Sequence, residues 1–466
     1  MINSVVHKAR LTAKTWATVP VSERAAIFLR FSKLVLDHQE VIMDIIQKET
    51  KKNRLSAFEE LLDTAQLSHY YARHAAKFLK PRARRGAFPI LTKTKEVHRP
   101  VGVVGVITPW NYPFTLPSTD IAPAVIAGNT VVLVPDELTP GCADIMLSLM
   151  QQAGLPEGVV SIVHGGGRVH GKELIELVDF VMFTGSTATG RIVAAQCAQR
   201  LVPFSAELGG KNPMIVASDA DPIKAAKGAV RSCFANSGQL CVSIERIYVN
   251  AKHYDAFLEA FTQNVREMKL GAGNDWDIDM GPLISEKQFE RVRGQVMDAI
   301  SKGAKLEVGG KVRPDISPTF FEPTVLTNVS DDMELGRGET FGPVVAVYKV
   351  ADDAEAIRLS NDTDYGLNSS VWGGRAALAA AEQMESGTVT INEGFSASFA
   401  SHDAPMGGMK TSGLGRRHGR QGLLKYTQPQ TIAVQRLIGI APIGKQTNQA
   451  FANLVTRLLK IWNKIS

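Results

Sequence analysis

Hydrophobic residues recur at three- and four-residue spacing in two stretches near the start of the chain. Residues 22–50 show this period, and residues 57–78 repeat it, which predicts two amphipathic helices. We assign Ser22 as the N-cap of the first helix and place Glu23 in its first turn. Residues 88–98 alternate Thr, Val and Ile with lysines and predict an extended polar arm.

Further along, short β-branched apolar runs alternate with turn residues and helical stretches. The runs comprise residues 101–107, 130–134, 159–163 and 180–183, and, after Met214, residues 247–249, 344–348, 370–372 and 388–391. Strand–helix alternation of this kind predicts parallel sheets covered on both faces by helices. The chain is therefore predicted to form two α/β domains.

The C-terminal stretch carries an apolar stripe at helical spacing, with basic residues elsewhere. Its members are Phe451, Leu454, Val455, Leu458, Leu459, Trp462 and Ile465. A basic amphipathic helix of this type can lie on an anionic membrane surface. Docking on the protein's own body or on a sister subunit is the interpretation that we favour.

Length and composition limit the class of protein. A chain of 466 residues with 44% hydrophobic and 21% charged residues is typical of a globular protein with two or three domains. Four cysteines without a spaced framework argue against a disulfide-stapled secreted protein. The first residues carry no apolar signal core, and no apolar run reaches the ~18 residues of a membrane span. We expect a cytoplasmic protein.

The net charge of +6 does not indicate a nucleic-acid partner. The densest basic patch, residues 80–85, contains no interleaved aromatic residue and no nucleic-acid motif. We interpret this patch as a solvated turn that precedes a hairpin. No metal site is predicted either.

Three polar side chains could assemble a reactive site. Cys241 lies 34 residues after Glu207 (241 − 207), and Asn111 lies far upstream. A thiolate, a carboxylate base and an amide donor are the groups that covalent oxidation of a carbonyl compound needs. The remaining cysteines lie in helix-like apolar stretches and are interpreted as buried and inert: Cys142, Cys197 and Cys233.

Five motifs occur in a fixed order along the chain. They are Trp110-Asn111-Tyr112-Pro113, Phe183-Thr184-Gly185-Ser186, Glu207-Leu208-Gly209-Gly210-Lys211, Gly238-Gln239-Leu240-Cys241 and Glu339-Thr340-Phe341-Gly342-Pro343. In order and spacing this set resembles the aldehyde dehydrogenase superfamily, and the likeness runs from about Ala9 to about Arg436. No single motif would carry the resemblance, whereas the five together do.

The resemblance implies an α/β fold with three parts: a Rossmann-type cofactor domain, an α/β catalytic domain and a small β oligomerisation arm. The expected boundaries are residues 1–84 and 101–208 for the dinucleotide-binding domain, 85–100 and 427–437 for the arm, 209–411 for the catalytic domain, 412–426 for a return segment and 438–466 for the tail.

The resemblance also implies roles in catalysis. Cys241 would attack the aldehyde, and the Asn111 amide with the Cys241 N–H would hold the resulting oxyanion. Glu207 would activate the water that releases the carboxylic acid. Many relatives carry a second glutamate where Arg417 stands, and commonly a lysine where Asp120 stands. We therefore expect Glu207 to act alone, without a nearby ammonium group.

A nicotinamide cofactor is implied as well. Gly185 and Ser186 end a strand and open a helix that we place at residues 191–199, where N–H groups and the helix dipole attract a pyrophosphate. The glycine-rich residues 164–171 are expected to form a loop near the adenosine half. Family resemblance assigns Glu339 to the nicotinamide ribose and Phe341 to the ring. The cofactor-binding candidates are Thr108, Pro109, Trp110, Val134, Glu137, Gly185, Ser186, Leu208, Gly209, Glu339 and Phe341.

The choice between NAD and NADP depends on the residues that follow one predicted strand. Val134 stands where the family normally has a lysine on the adenosine ribose. Glu137 matches a position where a carboxylate bonds a free 2′-hydroxyl and repels a 2′-phosphate, which favours NAD. Lys172 or Arg168 could still reach a phosphate, so NADP stays open.

The resemblance implies an aldehyde substrate, and two classes stay open. The chain is similar to a bacterial subclass described as succinate-semialdehyde dehydrogenases, yet Thr119 and Ala235 stand where two carboxylate-binding arginines are expected. An apolar aliphatic or aromatic aldehyde is the alternative, because several apolar residues suggest a hydrophobic funnel: Phe114, Leu240, Val242, Phe395 and Phe399. Ser401 or His402 could supply a polar anchor. Transfer to coenzyme A, or a catalytically silent binding protein, are remoter alternatives.

Two segments are expected to make contacts between subunits. The arm at residues 88–98 and the strand-like residues 431–435 meet across a subunit boundary in the family, which implies a homodimer or homotetramer. An unpaired β-branched edge would otherwise be adhesive. Contact of the C-terminal helix with a membrane surface is possible but not favoured.

Overall fold

The computed structural model describes residues 2–86, 92–396, 399, 401–436, 441–442 and 444–463. Elements are labelled in chain order. The helices are α1 Ile2–Trp16, α2 Val21–Asp37, α3 Gln39–Thr50, α4 Arg54–Leu79, α5 Thr115–Ile126, α6 Pro140–Gln152, α7 Gly167–Ile175, α8 Thr187–Arg200, α9 Pro222–Phe234, α10 Tyr254–Arg266, α11 Glu286–Ser301, α12 Glu334–Arg337, α13 Asp353–Asn361, α14 Arg375–Ala381, α15 Gly419–Leu424 and α16 Asn448–Trp462.

The strands match every apolar run that the sequence analysis singled out. They are β1 Arg82–Arg84, β2 Thr92–Pro100, β3 Val103–Ile107, β4 Thr130–Val134, β5 Val160–Ile162, β6 Phe180–Thr184, β7 Phe204–Glu207, β8 Asn212–Val216, β9 Ile244–Asn250, β10 Lys305–Val308, β11 Thr324–Thr327, β12 Val344–Val350, β13 Tyr365–Gly366, β14 Asn368–Trp372, β15 Thr388–Ile391, β16 Met409–Lys410, β17 Gly413–Leu414 and β18 Thr427–Gln435.

Two large sheets organise the compact unit formed by Met1–Phe78 and Pro100–Tyr426. The first has the strand order β17-β7-β6-β3-β4-β5, and the second has the order β10-β11-β12-β9-β8-β14-β15. Most neighbours are parallel, and the antiparallel pairs lie at the edges, where β17 meets β7 and β10 meets β11. The predicted α/β class with parallel sheets is confirmed. The finer domain boundaries stay a prediction.

Helices cover these sheets because their apolar faces need a partner surface. Around the first sheet, α1, α7 and α8 pack against the fully buried strands β3, β4 and β6. The second sheet has a core that includes α9 and α10. Cys142, Cys197 and Cys233 lie buried in α6, α8 and α9, as predicted.

Three local predictions were wrong. Residues 22–50 form two helices, because the chain breaks at His38, whose ring Nδ1 lies 2.9 Å from the Leu34 carbonyl oxygen. The first of these helices has Pro20 at its N-cap, so Ser22 does not cap it. The basic patch is not a turn, since Arg82–Arg84 pairs with β2 in antiparallel fashion.

The second compact unit comprises Leu79–Arg99 and Thr427–Ser466. Its three strands have the order β1-β2-β18. The two segments that we expected to meet across a subunit boundary therefore pair within one chain, and β18 is an edge strand with mostly exposed residues. Residues 88–91 of the predicted arm lie outside the described residues. The amphipathic helix is confirmed as α16, although Ile465 also lies outside the described residues.

Within the described part of the chain, every helix is too short or too polar to span a lipid bilayer.

Candidate active site

Cys241 follows a strained turn. After α9 the chain makes a short 3-10 turn, Ala235–Gly238, in which Asn236 and Ser237 have φ of 49° and 56° and Gly238 has 67°. Left-handed backbone is unfavourable for residues with a side chain and persists only where the surroundings enforce it. Gly238 is required because a Cβ there would lie 2.0 Å from the Gly342 carbonyl oxygen.

Side-chain amides hold the cysteine loop in place. The Asn212 amide donates to the carbonyl oxygens of Cys241 and Ser243, each at 2.8 Å. The Asn236 amide donates to the Gln239 carbonyl at 3.1 Å. The Ser237 hydroxyl donates to the Gly281 carbonyl at 2.7 Å. These buried bonds offset the strain of the turn and fix the position of the thiol.

Asn111 is anchored to this same loop. Its side-chain N–H donates to the Gln239 carbonyl at 3.1 Å, while its side-chain oxygen is buried without a partner. Its own carbonyl accepts from the Lys52 ammonium at 2.6 Å and from the Asn236 amide at 3.2 Å. An amide carries two N–H groups, so the Asn111 amide retains a donor for another acceptor beside Cys241.

Glu207 ends β7 and is fixed by the sheet on both sides. It pairs with Thr184 of β6 and with Gly413 of β17. The side chain is buried, and neither carboxylate oxygen has a hydrogen-bond partner in the described structure. Gly407 leaves space for the Glu207 carboxylate, because a Cβ at that position would lie 3.0 Å from one of the Glu207 oxygens. A buried carboxylate with free acceptor sites can hold a water molecule.

A charged cluster lies near this carboxylate. Arg417 forms a buried ion pair with Asp120 and donates to the Thr184 hydroxyl at 2.7 Å. The Lys425 ammonium lies 3.5 Å from Asp120. Burial raises the pKa of Glu207 to about 7, and the charges of Arg417 and Lys425 limit that rise. Lys425 therefore brings an ammonium charge near Glu207, where none was expected, and the expectation that Glu207 acts as the sole base stays a prediction.

The thiol of Cys241 rests in its neutral form. Burial raises its pKa to about 12, and the negative charges of Glu207 and Glu339 add to the rise. Arg417 acts in the opposite direction. The sequence left open whether the local field or a base would generate the thiolate. The structure favours a base, because only the thiolate attacks well.

Three parallel strands end together at the predicted cofactor edge. The Thr108 N–H donates to the Val134 carbonyl at 3.3 Å, which brings together the segments that follow β3 and β4. Thr108, Pro109 and Trp110 follow β3, and Val134 ends β4. Gly185 and Ser186 follow β6.

The helix after β6 begins at Thr187, four residues before the predicted start. Ser186 is its N-cap, and its hydroxyl accepts from the Thr189 N–H at 3.3 Å. The first N–H groups of such a helix have no acceptor within the helix and favour an anion. Gly185 is a tight position, since a Cβ there would lie 2.7 Å from the Phe183 ring.

Glu137 is exposed beyond β4, next to the glycine-rich segment. A Cβ on Gly166 would lie 3.5 Å from the Glu137 Cβ, so the two segments touch. Only the first part of the glycine-rich segment is a loop, because Gly167–Ile175 forms α7. Arg168 and Lys172 are exposed on that helix.

Glu339 and Phe341 lie against the backbone that follows Glu207. The Gly210 N–H donates to Glu339 at 2.8 Å, and a Cβ on Gly209 would lie 2.5 Å from the other carboxylate oxygen. The Phe341 ring meets the Trp110 ring edge-on, with centroids 5.6 Å apart. Leu208 packs against Gly190 of α8, where a Cβ would lie 2.5 Å from a Leu208 methyl carbon.

These features fit a dinucleotide cofactor. A helix N-terminus for a pyrophosphate and glycines at positions that exclude a Cβ follow the strands of the first sheet, and the half-buried carboxylate of Glu339, which accepts from the Gly210 N–H, is available for a ribose. Burial raises the pKa of Glu339 to about 7, and the nearby Glu245 adds to the rise.

An apolar cluster surrounds Cys241. Its buried members are Tyr112, Leu240, Val242, Leu367, Phe395 and Met406, with Leu116, Ala235 and Phe399 packed against them. Four of the five predicted funnel residues are thus brought together: Leu240, Val242, Phe395 and Phe399. Phe114 lies outside this cluster: it is fully buried, and its N–H donates to Glu60 at 2.8 Å. The exposed Ser401 hydroxyl accepts from the Ala404 N–H at 3.2 Å.

Arg231 is a cation that sequence reasoning missed. Its guanidinium lies over the Phe395 ring at 5.1 Å from the centroid. It also donates to Ser396 at 2.6 Å and pairs with Glu59. The side chain is 45% exposed, so one face remains open to solvent. A lone arginine near the end of a helix carries no local signal; only the packing against Phe395 reveals it.

Comparison with known proteins agrees with this site. A model of the aldehyde dehydrogenase family matches residues 1–432. A Mycolicibacterium smegmatis protein named "putative succinate-semialdehyde dehydrogenase, NADP(+)" is 52% identical over 437 residues, covering 93% of this chain and 84% of that protein.

Solved structures agree too. A betaine aldehyde dehydrogenase of Staphylococcus aureus with NAD+ superposes with a TM-score of 0.89 at 33% identity, covering 95% of this chain and 88% of that one. An Escherichia coli enzyme described as NADP dependent has the same TM-score and identity, covering 93% and 90%. The chain belongs to the aldehyde dehydrogenase family and is an NAD(P)-dependent enzyme that oxidises an aldehyde.

Proposed function

We propose that Cys241, Glu207 and Asn111 are the catalytic residues of this aldehyde dehydrogenase. The observation that carries this proposal is a half-buried thiol whose pKa is raised by the charge of Glu207, a buried carboxylate that has no hydrogen-bond partner in the described structure. A carboxylate with a pKa of about 7 is half ionised at neutral pH and suits a general base.

The first step is attack on the aldehyde. Glu207 takes the thiol proton, directly or through a water molecule, and Cys241 sulfur bonds to the carbonyl carbon. The negative charge develops on the former carbonyl oxygen. The free amide N–H of Asn111 and the Cys241 backbone N–H stabilise it, and one such donor is worth about 3 kcal/mol.

The second step releases the product. Loss of the hydride from the carbon attached to Cys241 leaves a thioester, and a bound nicotinamide would supply the hydride acceptor. Glu207 first releases the thiol proton to solvent, and it then removes a proton from a water molecule, whose oxygen attacks the thioester carbon. The carbon–sulfur bond breaks, the carboxylic acid leaves, and the Cys241 thiolate takes the proton back from Glu207. The free acceptor sites of Glu207 suit hydrolysis better than transfer to coenzyme A.

The proposed cofactor residues are those along the sheet edge, and NAD is the preferred form. The support is Glu137, an exposed carboxylate on the turn after β4, which would repel a 2′-phosphate. The relative from M. smegmatis carries NADP(+) in its name, so the preference needs a direct test. Glu137→Ser should raise kcat/KM for NADP about tenfold if the carboxylate discriminates, whereas a native protein that already prefers NADP tenfold would refute the electrostatic argument.

The proposed substrate is succinate semialdehyde. The relative's name supports it, and Arg231 supplies the cation that the expected positions Thr119 and Ala235 lack. The aldehyde end would lie at Cys241, within the apolar cluster, with the distal carboxylate at Arg231. An apolar aldehyde is the second candidate, because the cluster around Cys241 is otherwise hydrocarbon.

The testing experiment compares initial rates on succinate semialdehyde, butanal, hexanal and benzaldehyde. Butanal matches the chain length of succinate semialdehyde without its carboxylate. Arg231→Gln should raise KM for succinate semialdehyde at least tenfold and leave butanal unchanged, and Arg231→Lys should recover part of the loss. Equal effects on both substrates would favour the apolar aldehyde.

The proposed assembly is a homodimer or a homotetramer. The support is β18, an edge strand with exposed residues, since unpaired edges are templates for another strand. Light scattering should give at least twice 50.5 kDa. A monomer would refute the assembly.

The C-terminal helix α16 has exposed Leu454, Leu458 and Leu459, and we propose that these side chains pack against protein. Liposome binding that is lost on deleting residues 449–466 would instead assign the helix to a membrane surface.

A further inference from the structure

Three metal-ligating side chains meet outside the catalytic residues. Asp63 lies in α4, His402 in the loop before β16, and His418 directly before α15. One ligand atom from each lies within 4.8 Å of the others. The residues are 339 and 16 positions apart (402 − 63 and 418 − 402), so no local spacing in the sequence predicts this cluster.

Each member has a buried polar atom without a hydrogen-bond partner in the described structure. These atoms are Oδ1 of Asp63, Nδ1 of His402 and Nδ1 of His418. His418 is 3% exposed and His402 is 9% exposed. An unpaired buried polar group costs about 1–3 kcal/mol, so three in one place require an explanation.

The other contacts of these residues fix their positions. The Thr115 hydroxyl donates to Asp63 Oδ2 at 2.6 Å, and His402 Nε2 lies 3.3 Å from the Gln66 side-chain oxygen. The Gly419 N–H donates to the His402 carbonyl at 2.7 Å, which ties the two histidine segments together. Ligands oriented in this way by neighbouring groups are typical of metal sites.

His418 adopts an unusual backbone. Its φ of 58° and ψ of 171° lie in a region that is nearly restricted to glycine. A strained residue persists where the surrounding structure determines it, and such residues gather at functional sites.

We propose that Asp63, His402 and His418 form a zinc site that joins α4 to the two histidine segments. Two imidazoles and one carboxylate are ligands that Zn²⁺ accepts, with water completing a tetrahedron. Mg²⁺ and Ca²⁺ prefer all-oxygen ligands and fit this set less well.

The charge of one neighbouring residue is offset within the site. The charge of Arg417 opposes a bound cation, but its ion pair with Asp120 offsets that charge.

Zinc binding requires the three ligand atoms to move slightly closer together. Ligand atoms at about 2.0–2.1 Å from a tetrahedral metal lie about 3.4 Å apart. The cluster spans up to 4.8 Å, and side-chain rotation of two histidines can supply the difference.

The test measures zinc on the full-length protein in a Cys241→Ala background, which removes a competing thiol ligand. After incubation with Zn²⁺ and desalting, elemental analysis should give one zinc per chain. Co²⁺ in its place should give the visible absorption of a four-coordinate site. Asp63→Asn, His402→Gln and His418→Asn should each lower zinc content at least tenfold. Asn is chosen at 418 because it tolerates positive φ.

The matched control is the exposed pair His164 and Asp144, with Nε2 and Oδ1 2.9 Å apart. His164→Gln should leave zinc content unchanged. Zinc at 100 times its Kd should raise the Tm of the background protein by about 3 °C, a measurement that needs no ligand variant. The proposal is overturned if the background protein keeps less than a tenth of a zinc per chain, or if His164→Gln removes the zinc and His402→Gln does not.

Discussion

Two kinds of buried carboxylate occur around the site: those with hydrogen-bond partners have a structural role, and the one without partners is the proposed base. Glu60 accepts from the Lys52 ammonium at 2.7 Å and from the N–H groups of Phe114 and Thr115 at 2.8 and 3.1 Å. Glu245 likewise accepts from Lys211 at 2.7 Å and from two backbone N–H groups. Glu207 is as deeply buried and accepts from no described group.

The satisfied carboxylates position the parts of the site. Glu60 holds Lys52, whose ammonium contacts the carbonyl of Asn111, and Glu245 binds the N–H of Phe341. Glu207 instead keeps its acceptor sites free, and although burial raises the pKa of both Glu60 and Glu207, only Glu60 has hydrogen bonds that offset the rise. Removing a satisfied carboxylate should therefore cost stability, whereas removing Glu207 should cost rate.

The largest effect is expected at the nucleophile. Cys241→Ala should lower kcat/KM at least ~10⁴-fold, because no other described thiol or hydroxyl replaces it, while cofactor binding measured by fluorescence titration stays unchanged. Cys197→Ala is the control, since that thiol is buried in α8, and it should keep near-native activity. Retained dehydrogenase activity in Cys241→Ala would assign the chemistry elsewhere.

The second largest effect is expected on stability, when the structural carboxylate Glu60 is replaced. Glu60→Gln leaves the Lys52 ammonium buried without its counter-charge, and such a change costs about 3–5 kcal/mol. Denaturant unfolding should show the loss. The matched control is Glu157→Gln, which removes the exposed pair with Lys8 and should leave the unfolding midpoint nearly unchanged, because solvent screens that pair. Equal losses in the two variants would contradict the distinction between the carboxylates.

The third prediction concerns Glu207. Glu207→Gln should lower the steady-state rate about 10²–10³-fold, because hydrolysis of the thioester loses its base. A slower burst of reduced cofactor should remain, since a water molecule can take the thiol proton in place of Glu207 and removing the negative charge removes one cause of the raised Cys241 pKa. Stopped-flow absorbance measures both phases. Loss of the burst would make thiol activation the essential role of Glu207.

The smallest effect is a pH dependence. The folded-state pKa of Glu207 is raised from its usual value to about 7, so the basic carboxylate accumulates above pH 7. The hydrolysis rate should fall about tenfold per pH unit below 7 and level off above it. Glu339 titrates in the same range, so Glu339→Gln is the control and should keep this profile. An unchanged rate between pH 5.5 and 7 would exclude Glu207 as the base.

The alternation of apolar runs predicted the parallel strands because the runs are long and buried on both faces. The ends of helices and strands were harder to predict from the sequence. Residues 22–50 keep one helical period through His38, and the structure shows the break there, where the His38 backbone leaves the helical conformation and its ring contacts the Leu34 carbonyl. Residues 80–85 looked like a turn from composition, yet pairing with β2 makes residues 82–84 a strand.

The sequence by itself determined the fold class, the family and the candidate residues Cys241, Glu207 and Asn111, because these lie in short motifs whose local chemistry is readable. Only the tertiary structure decided their surroundings. The buried pair of Arg417 and Asp120, the position of Arg231 over Phe395, and the cluster of Asp63 with two histidines join residues far apart in the chain. Burial, charge and hydrogen bonding depend on such long-range packing, and a pKa follows from that packing rather than from neighbours along the chain.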